Sequence, residues 1–356
     1  LSLNMSIPIV YFRSSSFNCH RMCPMKYYAE YTLGWSGSSG KKADKGTIVH
    51  KVLEIAALCK KALQDGHKIF EDSEMGKIET SNYDPEYLDS IIDKVYEYYT
   101  SRTTHHDWKP LDLKHCRKWV WKIFEDQDGM FDPKNRLVVD AEPHFDFEIE
   151  EDWAAYEYEL ADGTVLKGNL ALKGTIDLIT DVGDGVYEVI DWKTGRRLDW
   201  ATGKEKTPAK LQKDPQLRMY HLACKKLYPE VDTFLLTIHF MNDGGPFTIH
   251  FQDSDIPKTL EMIRKKYENI KETESPQLNK SWKCRKFCPA GMTTFEGTHI
   301  KPLIERRFGA TTRHGEYMSK CEQIKYLIGK NGIEWATDNL MSEDYVIGEY
   351  KAPGEV

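Results

Sequence analysis

The chain has 356 residues, and 49 Lys+Arg against 56 Asp+Glu give a formal net charge of −7, which argues against non-specific coating of nucleic acid. With 40% apolar and 29% charged residues it is neither disordered, collagenous nor a coiled coil, and its length suits two average domains or one enlarged α/β domain. No apolar stretch reaches the ~18 residues of a membrane span, and the opening LSLNMSIPIVYF lacks the basic start and apolar run of a secretory signal, so a soluble, cytoplasmic protein is expected.

Helices come first. Lys45 to Lys61 places Ile48, Val52, Ile55 and Cys59 at helical steps; Pro85 to Tyr99 does so with Leu88, Ile91, Ile92, Val95 and Tyr99. Leu113, Cys116, Trp119, Val120, Ile123 and Phe124 continue the pattern, and the polar DSEMGKIETSNYDP between the first two helices reads as a loop. From Leu137 the period changes. LVVDAEPHFDFEIE alternates, with Phe145, Phe147 and Ile149 on one face, as a strand pair would. VLKGNLALKGTIDLITD, a turn at VGDG and VYEVIDWKTG follow, then a helix from Asp214 to Leu227. FLLTIHFM and PFTIHF flank the turn NDGG, and Asp253 or Ser254 can cap a helix through Ile256, Leu260, Ile263, Tyr267 and Ile270. One more helix is expected around Met318 to Ile328. These elements predict an α/β fold: a central mixed, mostly antiparallel sheet flanked by helices. Residues 1–136 form an N-terminal segment and helical region, 137–275 the core, and 276–356 a cysteine-bearing region packing back on the N-terminus.

The most informative stretch is GTIDLITDVGDGVYEVIDWKTGR. Side chains two apart on a strand share a face, so Asp191 and Lys193 point the same way. If Gly183-Asp184-Gly185 is a three-residue loop, Val182 pairs with Val186 and Asp177 lies opposite Asp191; a two-residue loop would break that alignment. Converging carboxylates bind Mg²⁺ or Mn²⁺ through oxygen, which polarises a phosphoryl oxygen and acidifies a water. A lysine beside them orients or activates that water and offsets phosphate charge. A surface Asp and Lys in a cross-strand ion pair is the plainer reading of Asp-x-Lys taken alone.

The neighbouring residues change that balance. Asp177 followed by Asp191-Trp192-Lys193 resembles the PD-(D/E)XK nuclease superfamily, with Asp where Glu is commoner. Upstream, GTIVHKVLE supplies Gly46 and His50; downstream, QLRMY supplies Gln216 and Tyr220, which share one helix face. This set is similar to the RecB-like exonuclease branch, which includes the CRISPR adaptation nucleases and the AddB nuclease domain. The resemblance implies a restriction-endonuclease-like core in which His50, Asp177 and Asp191 bind metal and Lys193 positions water. Gln216 and Tyr220 would support the site. Glu142, in DAEPHF, matches a strand acid of part of this branch and is a fourth candidate ligand, or else a sheet-edge charge.

The eight cysteines fall at 19, 23, 59, 116, 224, 284, 288 and 321. Without an export signal, disulfides are not expected; Cys59, Cys116 and Cys224 sit on apolar stripes as core residues. Cys23-Pro24-Met25-Lys26-Tyr27 resembles the first cysteine segment of RecB-like nucleases that bind iron–sulfur, although Cys284 and Cys288 are spaced one residue wider than the usual pair. The resemblance implies a metal-bound cysteine clip of Cys23, Cys284 and Cys288. Cys19, one helical turn from Cys23, would be the fourth ligand, with His299 and Cys321 as alternatives, and the clip would hold [4Fe–4S] or else Zn²⁺.

After the lysine, TGRRLDWATGKEKTPAKLQK carries Arg196, Arg197, Lys204, Lys206, Lys210 and Lys213. It is either a solvated charged loop or a phosphate track with Trp192 or Trp200 stacking on bases; Lys41, Lys42 and Lys45 are a second candidate. Nothing here reads bases, so DNA binding is expected to be sequence-independent. The expected protein is an Mg²⁺- or Mn²⁺-dependent DNA exonuclease of recombination, repair or phage DNA processing. It lacks a Gly-x-x-x-x-Gly-Lys-Ser/Thr loop, so unwinding falls to a helicase or recombinase partner. The alternative is a non-catalytic DNA-end-binding or scaffolding subunit that retains the fold.

Overall fold

The computed structural model describes residues 7–35, 37, 39–80, 84–160, 163–199, 203–281, 283–284, 288–290 and 320–347. The chain enters through β1 (Tyr11–Phe12), α1 (Ser14–Met22), the single turn α2 (Pro24–Tyr27) and a π-helical turn at Tyr28–Thr32. Three longer helices follow: α3 (Lys41–Gln64), α4 (Pro85–Arg102) and α5 (Pro110–Glu125). The Asp84 carboxylate accepts from the Tyr87 N–H at 2.8 Å and Pro85 opens the first turn, which fixes where α4 begins. The segment expected as a loop between α3 and α4 instead carries the end of a hairpin, β2 (Ile69–Asp72) and β3 (Gly76–Glu79). Its strands are too short for a readable alternation. The Asp72 carboxylate closes the turn by accepting from the Glu74 and Met75 N–H groups, and Lys51 of α3 anchors it at 2.7 Å.

The strands β4 (Leu137–Ala141), β5 (His144–Glu148), β6 (Ala155–Glu159), β7 (Val165–Asn169), β8 (Ala171–Thr175), β9 (Leu178–Gly183) and β10 (Val186–Lys193) come next. After them lie α6 (Pro208–Leu211), α7 (Pro215–Leu227), β11 (Thr233–Phe240), β12 (Gly244–Gln252), α8 (Ile256–Lys271), α9 (Lys320–Asn331) and α10 (Ile333–Leu340). A five-stranded sheet has the order β12-β11-β10-β9-β4. Only β10 and β11 run parallel, across the α7 crossover, so the sheet is mixed and mostly antiparallel, with helices against it. The helix after β12 begins at Ile256, behind a short 3₁₀ turn at Asp253–Asp255, and neither Asp253 nor Ser254 caps it.

Two strand expectations are corrected. β4 and β5 do not pair with each other: β4 joins the large sheet through β9, whereas β5 pairs with β8, which also pairs in parallel with β1. Glu142, at φ +50°, and Pro143 turn the chain from one sheet into the other. The β9–β10 loop is also shorter than supposed. Val186 pairs with Gly183 around the two-residue turn Asp184-Gly185, whose φ values of +54° and +73° are those of a primed hairpin turn. A bulge then restores the expected register, with Tyr187 opposite Asp181 and Ile190 opposite Leu178. The ladder ends one pair short of Asp177 and Asp191, and the Trp192 N–H, which donates to Asp177 Oδ2 at 2.7 Å, keeps the two acids side by side.

The two faces of the large sheet bury separate cores. Leu178, Ile190 and Trp192 pack with Ile48, Val52, Ile92, Val120 and other residues of α3, α4 and α5. Ile179, Val189, Leu236 and Ile238 pack with α7, α8 and the N-terminal segment. Gln64 covers the β4 edge: its amide donates to the Val138 carbonyl and accepts from the Val138 N–H, both at 2.9 Å, as a neighbouring strand would.

The expected metal-bound cysteine clip is not assembled. Among the described residues, no three thiols place their sulfurs within 4.8 Å of one another. Cys19 is buried and directed to Glu30 Oε2 (3.3 Å), with Lys26 Nζ 3.5 Å away; Cys23 faces the Gln277 carbonyl and Cys284 the Asn279 carbonyl. Burial holds the Cys19 thiol well above its ordinary range and pushes Cys288 up to about 12, so both stay protonated at neutral pH. Hydrogen bonds make the junction instead: Met25 N–H to the Gln277 carbonyl (3.1 Å), Asn279 Nδ2 to the Met22 carbonyl (3.0 Å), and Trp35 Nε1 to the Leu340 carbonyl (2.8 Å). His299 lies outside the described residues.

Candidate active site

The acidic centre lies at the ends of β4, β9 and β10, between residues that belong to the two cores. Asp191 and Lys193 share the face of Val189, which α7 covers, while Ile190 and Trp192 point to α3. Asp177, one residue before β9, is pinned by the Trp192 N–H, which donates to its Oδ2 at 2.7 Å. Its Oδ1 faces His50 Nδ1 of α3 at 3.5 Å. Glu142 leaves β4 beside it, donating its own N–H to the Asp177 carbonyl at 3.1 Å. α3 comes this close because Gly46 has no side chain: a Cβ there would stand 3.0 Å from Thr194 Oγ1, just beyond Lys193.

Asp191 is fully buried, and its Oδ1 accepts from Lys193 Nζ (2.8 Å) and Gln216 Nε2 (3.1 Å). Its Oδ2 lies 2.8 Å from the same ammonium without a well-aligned donor. Gln216 also donates to the Tyr220 hydroxyl at 2.8 Å, so the i, i+4 pair on α7 acts as one unit behind Asp191. The start of α7 is set by Asp214, whose carboxylate accepts from the Gln216 N–H at 3.0 Å and holds Lys206 Nζ at 2.6 Å.

Charge in this pocket is crowded. Burial pushes the Glu142 carboxyl up to about 10, with Asp177 adding most of the remaining repulsion. Burial also raises Asp191, to about 6, against the pull of Lys193. Burial alone would lower His50 and raise Asp177, but each overrides that for the other: the imidazole moves up and the carboxyl down. Burial opposes the Lys193 charge, yet Asp191 and Asp177 hold its pKa above the ordinary value, so it remains an ammonium.

A profile of the PD-(D/E)XK nuclease superfamily matches residues 14–292. The chain belongs to the PD-(D/E)XK nuclease superfamily. Among solved structures, it is similar to a Eubacterium rectale protein assigned as an exonuclease, with 14% identity, 77% of this chain and 86% of that one covered, and a TM-score of 0.42. It is also similar to SSO0001, with 18% identity, coverages of 59% and 80%, and a TM-score of 0.23. No curated protein matches the chain.

Nucleases of this superfamily usually work with divalent metals such as Mg²⁺. The residues of this PD-(D/E)XK centre fit such an ion. His50, Glu142 and Asp177 each offer one ligand atom within 4.8 Å of the others, and Asp191 Oδ2 adds an oxygen without an aligned donor. Two buried acids and the half-buried Glu142 against His50 and Lys193 leave a deficit of positive charge, which the Glu142 carboxyl meets by staying protonated. A cation would meet it instead.

The expected DNA-contacting residues divide. Arg196 is exposed, whereas Arg197 pairs with Glu205, donates its N–H to Asp243 Oδ2 (2.8 Å) and lies over the Phe247 ring. Lys204 and Lys206 line a cavity of about 370 Å³ with Arg21, Lys210 and Lys213. Lys41 and Lys45 both turn to Asp112. Trp192 is buried among core side chains and does not stack on bases, and Trp200 lies outside the described residues. Sequence reasoning missed Lys51, 7% exposed and next to His50 in the chain, which binds Asp72 (2.7 Å), Glu54 (3.1 Å) and Glu74 (3.4 Å). No local signal marks it, because two of its partners lie in the hairpin read as a loop.

Proposed function

We propose that this PD-(D/E)XK nuclease is a metal-dependent DNA exonuclease of the RecB-like type, binding DNA ends without sequence preference. The observation that carries the proposal is the convergence of His50, Glu142 and Asp177 beside the Asp191–Lys193 pair, with Gln216 and Tyr220 behind it. Such a set matches what the RecB-like resemblance assigns to metal binding, water positioning and support.

His50, Glu142, Asp177 and Asp191 would hold Mg²⁺ or Mn²⁺, which supplies Lewis acidity beside the scissile phosphate. Lys193, kept charged by Asp191 and Asp177, donates hydrogen bonds to a water or to the phosphate oxygens and offsets the charge that builds there. It is not a proton acceptor at neutral pH. Gln216 fixes the Asp191 carboxylate, and so the lysine. Tyr220 keeps its proton, because burial and then Asp191 raise the phenol well above its ordinary range. The cavity lined by Arg21, Lys204, Lys206, Lys210 and Lys213, next to the start of α7, supports a path for the phosphate backbone.

The test uses end-labelled single- and double-stranded DNA and circular single-stranded DNA, with Mg²⁺ or Mn²⁺, on wild type and Lys193→Ala. Wild type should degrade the linear substrates from their ends and spare the circle, and Lys193→Ala should bind ends without cutting. Cleavage of the circle refutes strict exonuclease action. No cleavage of any DNA by wild type, with ends still bound, leaves an end-binding scaffold.

A further inference from the structure

A second convergence of ligand-type side chains lies on the α3–α5 layer. Asp44 stands in the first turn of α3, and His105 and His106 follow α4 on the way to α5. His106 Nε2 is 2.5 Å from Asp44 Oδ2, and His105 Nε2 is 3.8 Å from the same oxygen. The ligand atoms of all three residues lie within 4.8 Å of one another. The Asp44 and His106 side chains are 10% and 11% exposed, and that of His105 is 45% exposed, so the group is seated in the surface and open on one side.

A simple ion pair accounts for only half of this geometry. One imidazole satisfies Asp44 Oδ2, a second ring nitrogen lies 3.8 Å from the same atom, and the two ring centroids are 3.9 Å apart. A divalent ion would take a lone pair from each ring and charge from the carboxylate, and so would use all three groups at once. The nearest lysines do not compete for the carboxylate, because Lys41 Nζ and Lys45 Nζ both go to Asp112, at 2.5 and 3.2 Å.

We infer that Asp44, His105 and His106 form a second metal site, separate from the acidic centre and specific for Zn²⁺-like transition ions. Two imidazoles and one carboxylate suit Zn²⁺ or Co²⁺, whereas Mg²⁺ prefers the oxygen-rich set at Glu142, Asp177 and Asp191. Three protein ligands leave a fourth position to water on the exposed His105 side. The ion would tie the first turn of α3 to the α4–α5 connection. α3 also carries Gly46 against Thr194 and presents His50 to Asp177, so the tie would brace the helix that completes the acidic centre. The inference holds whichever nucleic acid the protein cuts.

The test is a Co²⁺ titration of a chain carrying Asp177→Asn and Glu142→Gln, which removes two ligands of the acidic centre. One Co²⁺ per chain should bind at micromolar concentration with weak visible d–d bands and no thiolate charge-transfer absorption. Stoichiometric Zn²⁺ should displace it, and millimolar Mg²⁺ should not. His105→Ala leaves the Asp44–His106 contact in place and should weaken binding at least tenfold; His106→Ala should abolish it. No Co²⁺ bound, or equal binding by the His105→Ala chain, overturns the inference. Thiolate bands overturn it too, by assigning the ion to the cysteines.

Discussion

Glu142 offers the sharpest test of the electrostatics at the acidic centre. In the unfolded chain its carboxyl titrates near the ordinary 4.5, but burial and then the Asp177 charge push it up to about 10 in the fold. The sign follows. Below 4.5 both states hold the proton and nothing is lost; as pH rises towards 10, the unfolded state ionises first and stability falls. At pH 8 the gap is about 3.5 units, a ceiling of roughly 5 kcal/mol at ~1.4 kcal/mol per unit. Part of that is relieved because the residue is partly exposed and water screens the Asp177 charge, so about 2–3 kcal/mol is expected. Glu142→Gln keeps the size and removes the titration. In urea unfolding followed by tryptophan fluorescence in EDTA, the variant should be more stable than wild type by that amount at pH 8 and equal to it at pH 4. Mg²⁺ or Mn²⁺ should then stabilise the wild type and leave the variant almost unchanged. A variant less stable than wild type by more than about 1 kcal/mol at pH 8 refutes the reasoning, because Glu142 must then be ionised and paired in the metal-free fold.

Gln216→Ala removes a donor from Asp191 and another from Tyr220, and should lower kcat roughly 10–100-fold with little change in KM for DNA; a loss confined to KM would reassign Gln216 to substrate binding. Lys51→Met strands Asp72, Glu54 and Glu74 around a buried position and should cost about 3 kcal/mol. Thermal melts should show a larger loss at pH 8 than at pH 4, where the carboxylates protonate. At Gly174 a Cβ would sit 2.5 Å from the buried Phe145 ring, so Gly174→Ala should destabilise by about 1–3 kcal/mol. Pairing it with Phe145→Leu should recover part of that loss in denaturant titrations.

What could be seen in the sequence was local. The stripes Leu88-Ile91-Ile92-Val95 and Ile263-Tyr267-Ile270 mark helices because burial follows a 3.6-residue period, and all these side chains are buried. Asp177 and Asp191 can be aligned because a hairpin fixes its own register within a dozen residues, even when a bulge takes up an error in the supposed loop length. His50, Gln216 and Tyr220 stand on periodic helices whose faces are readable. The partner of β5 was not readable, since pairing with β8 joins segments that share no turn. Nor could Cys-x-x-x-Cys spacing show that Cys19 turns to Glu30 while Cys23 turns to Gln277, because spacing does not give the direction of a sulfur. Lys51 was hidden for a related reason: a buried cation is defined by three acids, two of which are folded onto it from another hairpin.

The placement of the acidic centre on the seam between two separately packed layers makes it a logical conjunction. α3 brings His50 from the layer built with α4 and α5, while Asp191, Lys193, Gln216 and Tyr220 belong to the face covered by α7. A chain in which only one layer has condensed holds half a site and no competent pocket. The acidic centre is therefore complete only while both layers are in place, and parting them would take His50 away from Asp177 and Asp191 together.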